Sequence, residues 1–209
     1  MNNPENRRPL TSRNSNWAGR LASWAVARQI TPNQISQASM GFAAAGFALY
    51  AVSPQGPGIL QFLCLILAAA SLQARLVCNL IDGMVAIEGG KGAKDGPFWN
   101  EAPDRVSDLL FFAGAGLAAN QTALGLLAAS LAIATAYIRE LGRAEGFPSD
   151  FSGPLAKPQR MAVLTAGTVL AAIYASEWTL TVILWIVVAG TTATALRRSL
   201  TLIGQLNAR

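Results

Sequence analysis

The chain has 209 residues, of which 52% are hydrophobic and 13% charged, and its mean hydropathy is +0.36. Soluble domains carry roughly 25% charged residues, so this composition describes a membrane protein and excludes a soluble globular enzyme. There are 16 Lys and Arg against 11 Asp and Glu, and no His, which removes imidazole from any metal or acid–base chemistry. The sequence pI of about 9.8 comes without a basic helix or an aromatic-interleaved patch, so nucleic acid is not expected as a partner. Cys64 and Cys78 share one apolar segment and read as packing residues, not as a disulfide.

Residues 1–12 read as a disordered N-terminus and residues 13–209 as one transmembrane domain. No apolar run follows the first positive charges, so a cleaved signal peptide is not expected. Residues 15–28 read as an amphipathic helix lying in the membrane interface. Trp17, Leu21 and Trp24 share one face, with Arg13, Arg20 and Arg28 placed to meet lipid phosphates. Six apolar segments then follow, roughly at 34–53, 58–82, 101–119, 122–140, 160–176 and 178–196, each near the ~20 residues a spanning helix needs. Ser53–Gly58, Asn120-Gln121 and Ser176-Glu177 read as turns. The basic residues fall in alternate connections. They sit in the N-terminal segment (Arg7 to Arg28), in the second connection and its flanks (Arg75, Lys91, Lys94, Arg105), in the fourth (Arg139, Arg143, Lys157, Arg160) and in the tail (Arg197, Arg198, Arg209). By the positive-inside rule these are cytoplasmic. The expected fold is an all-α membrane protein of six transmembrane helices with both termini inside. Small residues in the first segment (Gly41, Ala44, Ala45, Ala48) and in the third (Gly114, Gly116) allow close helix approach. They serve either packing within one bundle or a homodimer face.

Chemistry concentrates at two ends of these segments. Asn79, Asp82, Gly83 and Ala86 are spaced to share a helix face, and so are Gly96, Asn100, Asp104 and Asp108. Facing each other, the two rows would gather carboxylate and amide oxygens, which suit a hard cation such as Mg²⁺. Ionisable groups beside hydrocarbon are costly and are functional candidates by default. A transporter would place such charges deep within its spans, whereas here they gather at the cytoplasmic ends.

The stretch Asn79-x2-Asp82-Gly83-x2-Ala86-Ile87-x8-Gly96-x3-Asn100-x3-Asp104 resembles the motif of the CDP-alcohol phosphatidyltransferase family, Asp-x2-Asp-Gly-x2-Ala-Arg-x8-Gly-x3-Asp-x3-Asp. Asp82, Gly83, Ala86, Gly96 and Asp104 match, whereas Asn79, Asn100 and Ile87 depart. Thr31-Pro32-Asn33, Arg139-Glu140 and Lys157-Pro158-Gln159-Arg160-Met161 extend the likeness, so that it covers about residues 15–200. The resemblance implies transfer of a phosphatidyl group from a CDP-linked lipid, CDP-diacylglycerol, to a small alcohol with release of CMP. It places this phospholipid biosynthesis at the cytoplasmic face of a bacterial inner membrane. It further implies Mg²⁺, with Mn²⁺ as a substitute, held by Asn79, Asp82, Asn100 and Asp104, to which the helix face adds Asp108 as a candidate ligand. Asp104 is then the base. Asp82, Gly83, Ala86 and Gly96 are the nucleotide cradle, and Arg139, Arg143, Lys157 and Arg160 hold lipid or acceptor phosphate. The two amides leave the site about two charges less negative, which Asp108 or Glu101 could restore. Asp108 could instead be a surface charge paired with Arg105. The alternative function is a catalytically degenerate member that binds CDP-lipid or acts as a scaffold. The loop 88–96 is a candidate lid.

Overall fold

A computed structural model describes residues 15–53, 58–88, 90, 94–174 and 177–209. The expected disordered segment 1–12, and residues 89 and 91–93 of the expected lid loop, lie outside these residues. Among the described residues the protein is all helical. Its elements are α1 (Asn16–Ala27), α2 (Pro32–Val52), α3 (Ile59–Glu88), α4 (Gly96–Ala118), α5 (Thr122–Ala144), α6 (Lys157–Tyr174) and α7 (Glu177–Asn207). Each apolar segment read from the sequence forms one of α2–α7. Four of them, α2, α3, α5 and α7, are long and apolar enough by themselves to cross a bilayer. The first half of α4 carries Glu101, Asp104, Arg105 and Asp108, and α6 has 18 residues beginning with Lys157 and Arg160.

Local chemistry sets the helix ends. Thr31 caps α2: its hydroxyl accepts from the Gln34 amide at 3.2 Å, and the Gln34 side chain accepts from the Thr31 amide at 2.9 Å. This is a reciprocal capping box, with Pro32 opening the helix. At the other end of the molecule Asn120 turns the chain between α4 and α5 in the left-handed region, φ +53°, which Asn tolerates.

The six long helices form a closed ring of packed neighbours in the order α2, α3, α6, α7, α5, α4 and back to α2. Tyr50, Leu72, Phe111, Phe112, Leu164 and Leu184 fill its interior. Large apolar side chains on the outside, among them Leu60, Leu127, Trp178, Trp185 and Leu200, are exposed. This inversion, with charge inside and hydrocarbon outside, is what a lipid solvent imposes. Helix α1 packs Ala18, Ala22 and Ala25 onto Leu80, Ile81, Met84 and Val85 at the end of α3. Its Trp17 and Trp24 face outward, and the Arg28 guanidinium lies over the Trp24 ring at 5.8 Å.

Hydrophobic burial does little to hold helices together in lipid, so close packing carries the contact. Gly114 meets Tyr50 and Phe47 of α2, and Gly116 meets Gly125 of α5. The third segment's small residues therefore serve packing within the ring. Gly41, Ala44, Ala45 and Ala48 of α2 are exposed. A Cβ added at Gly125 would lie 2.8 Å from the Gly116 Cα and still closer to the Phe112 carbonyl oxygen, both backbone atoms. Gly125→Ala is therefore expected to push α4 and α5 apart and cost about 1–3 kcal/mol. Gly41→Ala, which meets nothing within 4 Å, is expected to cost nothing. Thermal unfolding of the two variants in detergent checks the contrast.

Candidate active site

The polar residues collect at one end of the ring, where α2 and α6 start, α4 begins, and α3 and α5 finish. Asp82, 7% exposed, faces inward from α3 and accepts a hydrogen bond from the Ser36 hydroxyl of α2 at 2.8 Å. Asn79 and Arg75 precede it on the same face of α3, one and two turns earlier. Asp104, 9% exposed, reaches across from α4. Its Oδ1 accepts from Arg75 Nη2 at 2.8 Å and from the Asn79 amide. Its Oδ2 is paired with Lys157, the first residue of α6. Asp82 lies within electrostatic reach of both Asp104 and Lys157. The two rows read from the sequence thus converge.

Asp108 lies one turn deeper and is fully buried. Arg160 Nη2 meets its Oδ2 at 2.8 Å, and Arg75 Nη2 stands 3.6 Å from its Oδ1. It is not a surface partner of Arg105, which turns instead to Glu101 at 3.2 Å. The reason is burial. A carboxylate enclosed by protein needs an enclosed cation, and Arg160, itself 2% exposed, supplies one while also donating to the Thr135 hydroxyl at 3.1 Å. Arg75 likewise departs from its sequence reading as a charge flanking a connection. It sits inside α3 with no exposed surface. Its place one turn before Asn79 was the signal, because a charge in phase with a polar face belongs to that face.

The remaining candidates lie toward the open rim. Asn100 is exposed, and its amide donates to Glu101 at 3.4 Å. Glu101 offers no spare charge, since Arg139 grips both of its oxygens at 2.6 and 2.7 Å. Arg139 also lies over the Phe151 ring at 5.5 Å. Arg143, its side chain 47% exposed, pairs with Glu140 at 2.9 Å. Gly83 and Ala86 are half-buried, and a side chain at Gly96 would meet nothing within 4 Å. Asn33 at the start of α2 donates to both oxygens of Asp95 at 3.1 and 3.2 Å, tying that helix to the start of α4. That bond, reinforced by the Trp99 indole at 2.9 Å, holds the Asp95 carboxyl below the usual carboxylate range. Arg198 of α7 is buried and donates to the carbonyls of Ser152 and Thr135, both at 2.9 Å, which fixes the connection before α6. Ser36, Arg75 and Arg198 were not singled out in the sequence.

Three buried carboxylates, Asp82, Asp104 and Asp108, therefore face the cations Arg75, Lys157 and Arg160, and Arg105 Nη2 also stands 3.6 Å from Asp104 Oδ2. Among the described residues no cluster of three or more His, Cys, Asp or Glu is arranged to hold an ion. The donor chemistry of Asn79, Asp82 and Asp104 still fits a hard divalent cation, with oxygen ligands of which two are carboxylates. Amide or substrate oxygens would complete the shell. A shallow apolar groove along the outer face of α1, lined by Trp17, Leu21 and Trp24, lies apart from this centre.

No family model matches the chain. Among curated proteins it is 29% identical over 135 residues to the phosphatidylinositol phosphate synthase of Mycolicibacterium smegmatis, a match spanning 59% of each chain. It is 29% identical over 186 residues to that of Corynebacterium glutamicum, covering 85% of this chain and 80% of the relative. Its fold is that of the phosphatidylinositol phosphate synthase of Mycobacterium tuberculosis. The TM-score is 0.75 to the form in complex with manganese and citrate, with 18% identity and 88% of each chain covered. To the form with CDP-DAG bound it is also 0.75 at 18% identity, covering 90% of this chain and 94% of that one. The chain is thus similar in sequence to phosphatidylinositol phosphate synthases and shares the fold of one of them.

Removing one partner of a buried ion pair leaves an uncompensated charge and costs about 3–5 kcal/mol. Arg160→Met is therefore expected to destabilise the protein by that order, and Arg160→Met with Asp108→Asn by clearly less. Unfolding in a denaturant series in detergent checks both.

Proposed function

We propose that this protein transfers the phosphatidyl group of CDP-diacylglycerol to an alcohol and releases CMP. The observation that carries the reading is the meeting of Asp82 and Asn79 from α3 with Asp104 from α4 beside an open, glycine-edged rim. The likeness to the phosphatidylinositol phosphate synthase structure with CDP-DAG bound supports the same donor. In the reaction the acceptor hydroxyl oxygen bonds to the lipid-bearing phosphorus while the bond to the CMP phosphate oxygen breaks. The hydroxyl proton passes to Asp104. Asp82, Asp104 and the Asn79 oxygen would hold a divalent cation, which would neutralise pyrophosphate charge. Gly83, Ala86 and Gly96 leave room for the nucleotide to approach the helix backbones.

The reading extends to placement. Six spans, with both termini and the site on the cytoplasmic side of a bacterial inner membrane, agree with the alternating basic connections. Helix α1 lies in the headgroup layer, with Trp17 and Trp24 turned to lipid. The exposed small-residue face of α2 is the surface available to a second copy in a homodimer. Arg139 and Arg143 border the open rim, where arginines hold phosphate well. A phosphorylated acceptor fits them, and the relatives' name makes an inositol phosphate the first to test.

The test is CMP release from CDP-diacylglycerol by purified protein given Mg²⁺ and a pool of acceptors, with the lipid products identified by mass spectrometry. Turnover is expected. Asp104→Ala is expected to lower it by about 10²-fold or more, and chelation of the divalent ion to abolish it. CMP release that survives Asp104→Ala would reject the assignment.

A further inference from the structure

Resting on the transferase reading, we propose that Lys157 is an exchangeable counter-ion seated on Asp104. It yields its place when a divalent cation arrives with a nucleoside diphosphate, so that neither ligand binds well without the other.

The cations around Asp104 differ in their freedom. Arg75 is fully enclosed, bonds Asp104 at 2.8 Å and stands 3.6 Å from Asp108. It has no route out. Arg160 is committed to Asp108 and Thr135. Lys157 is the first residue of α6, its side chain is 14% exposed, and it meets the Asp104 oxygen that Arg75 and Asn79 do not use. Arg105 approaches that oxygen only at 3.6 Å and is bonded to Glu101 at 3.2 Å. A flexible four-carbon stem with a point-charge head can swing where a planar fork fixed by several bonds cannot.

Charge makes the exchange conditional. With Lys157 seated, the three carboxylates face four cations, Arg105 included at 3.6 Å from Asp104 Oδ2, and the centre offers a free divalent ion little attraction. Amides at Asn79 and Asn100 add none. A diphosphate entering with the ion changes this, because its oxygens both complete the ion's shell and accept hydrogen bonds from the displaced ammonium. Lys157 moves from Asp104 to the phosphate, and Asp104 becomes free to ligate. Linkage then requires that the ion and the diphosphate tighten each other by the same factor.

The experiment is Mn²⁺ binding to the purified full-length protein in detergent, followed by electron paramagnetic resonance, with and without CDP and without lipid. The wild type is expected to bind Mn²⁺ weakly, and CDP to tighten it by on the order of tenfold, within the usual range of coupling between sites. Lys157→Met is expected to bind Mn²⁺ alone on the order of tenfold more tightly than wild type, with a smaller added effect of CDP. Lys157→Arg should stay weak, and Asp104→Asn in the Lys157→Met background should lose the gain. General damage to the fold lowers affinity, so a gain is diagnostic; Lys157→Gln gives the same reading should Met impair folding. Mn²⁺ affinity unchanged or lower in both neutral variants overturns the proposal. Failure of the transferase reading shows separately, as wild-type protein that releases no CMP from CDP-diacylglycerol.

Discussion

Arg75 is the residue around which the polar end of the ring is arranged. A guanidinium with no exposed surface, inside a helix long enough to span a bilayer, is stable when its charge is met at close range. Asp104 and Asp108 meet it, both from α4. These ion pairs link α3 directly to α4, the two helices that flank α2 in the ring. Once Asp104 is fixed by Arg75 and Asn79, its second oxygen draws Lys157. Once Asp108 is placed, it requires Arg160. Together these draw in the start of α6, and Arg198 fastens the preceding connection to α5 and α7. The positions of the catalytic candidates follow from neutralising buried charge.

The amide substitutions make physical sense in that setting. A site with four carboxylates would attract cations strongly, whereas this one keeps Asp82 and Asp104 and surrounds them with its own positive groups. The two charges that the sequence suggested as replacements are both occupied, Asp108 by Arg160 and Arg75, and Glu101 by Arg139. The centre is thus closer to neutral than the motif it resembles implies.

Much of this was legible beforehand. The hydropathy placed all six long helices. The i, i+3, i+4 spacing correctly put Asn79 with Asp82, and Asp104 with Asp108, on inward faces. The ring order was not legible, because it depends on which glycines meet, such as Gly116 with Gly125. Nor were the ionic partnerships. Glu101 and Arg139 lie 38 residues apart and Asp108 and Arg160 lie 52 apart, distances over which no local periodicity speaks. Arg75 was misplaced because a charge near a segment end looks like a flank until the length of α3 is known. Asn100 shares the row of Asp104, yet it sits a turn nearer solvent and bonds to its neighbour.

The claim at the centre is that Arg75 and Asp104 form one buried unit joining α3 to α4. A double-mutant cycle on unfolding stability measures it directly, with Arg75→Met, Asp104→Asn and the pair. The expected result is strong non-additivity, the double variant losing at least about 1 kcal/mol less than the two single losses combined, as residues in one ionic network do. Losses that add within about 0.5 kcal/mol would mean that the two groups do not meet in the folded protein, and would contradict the account.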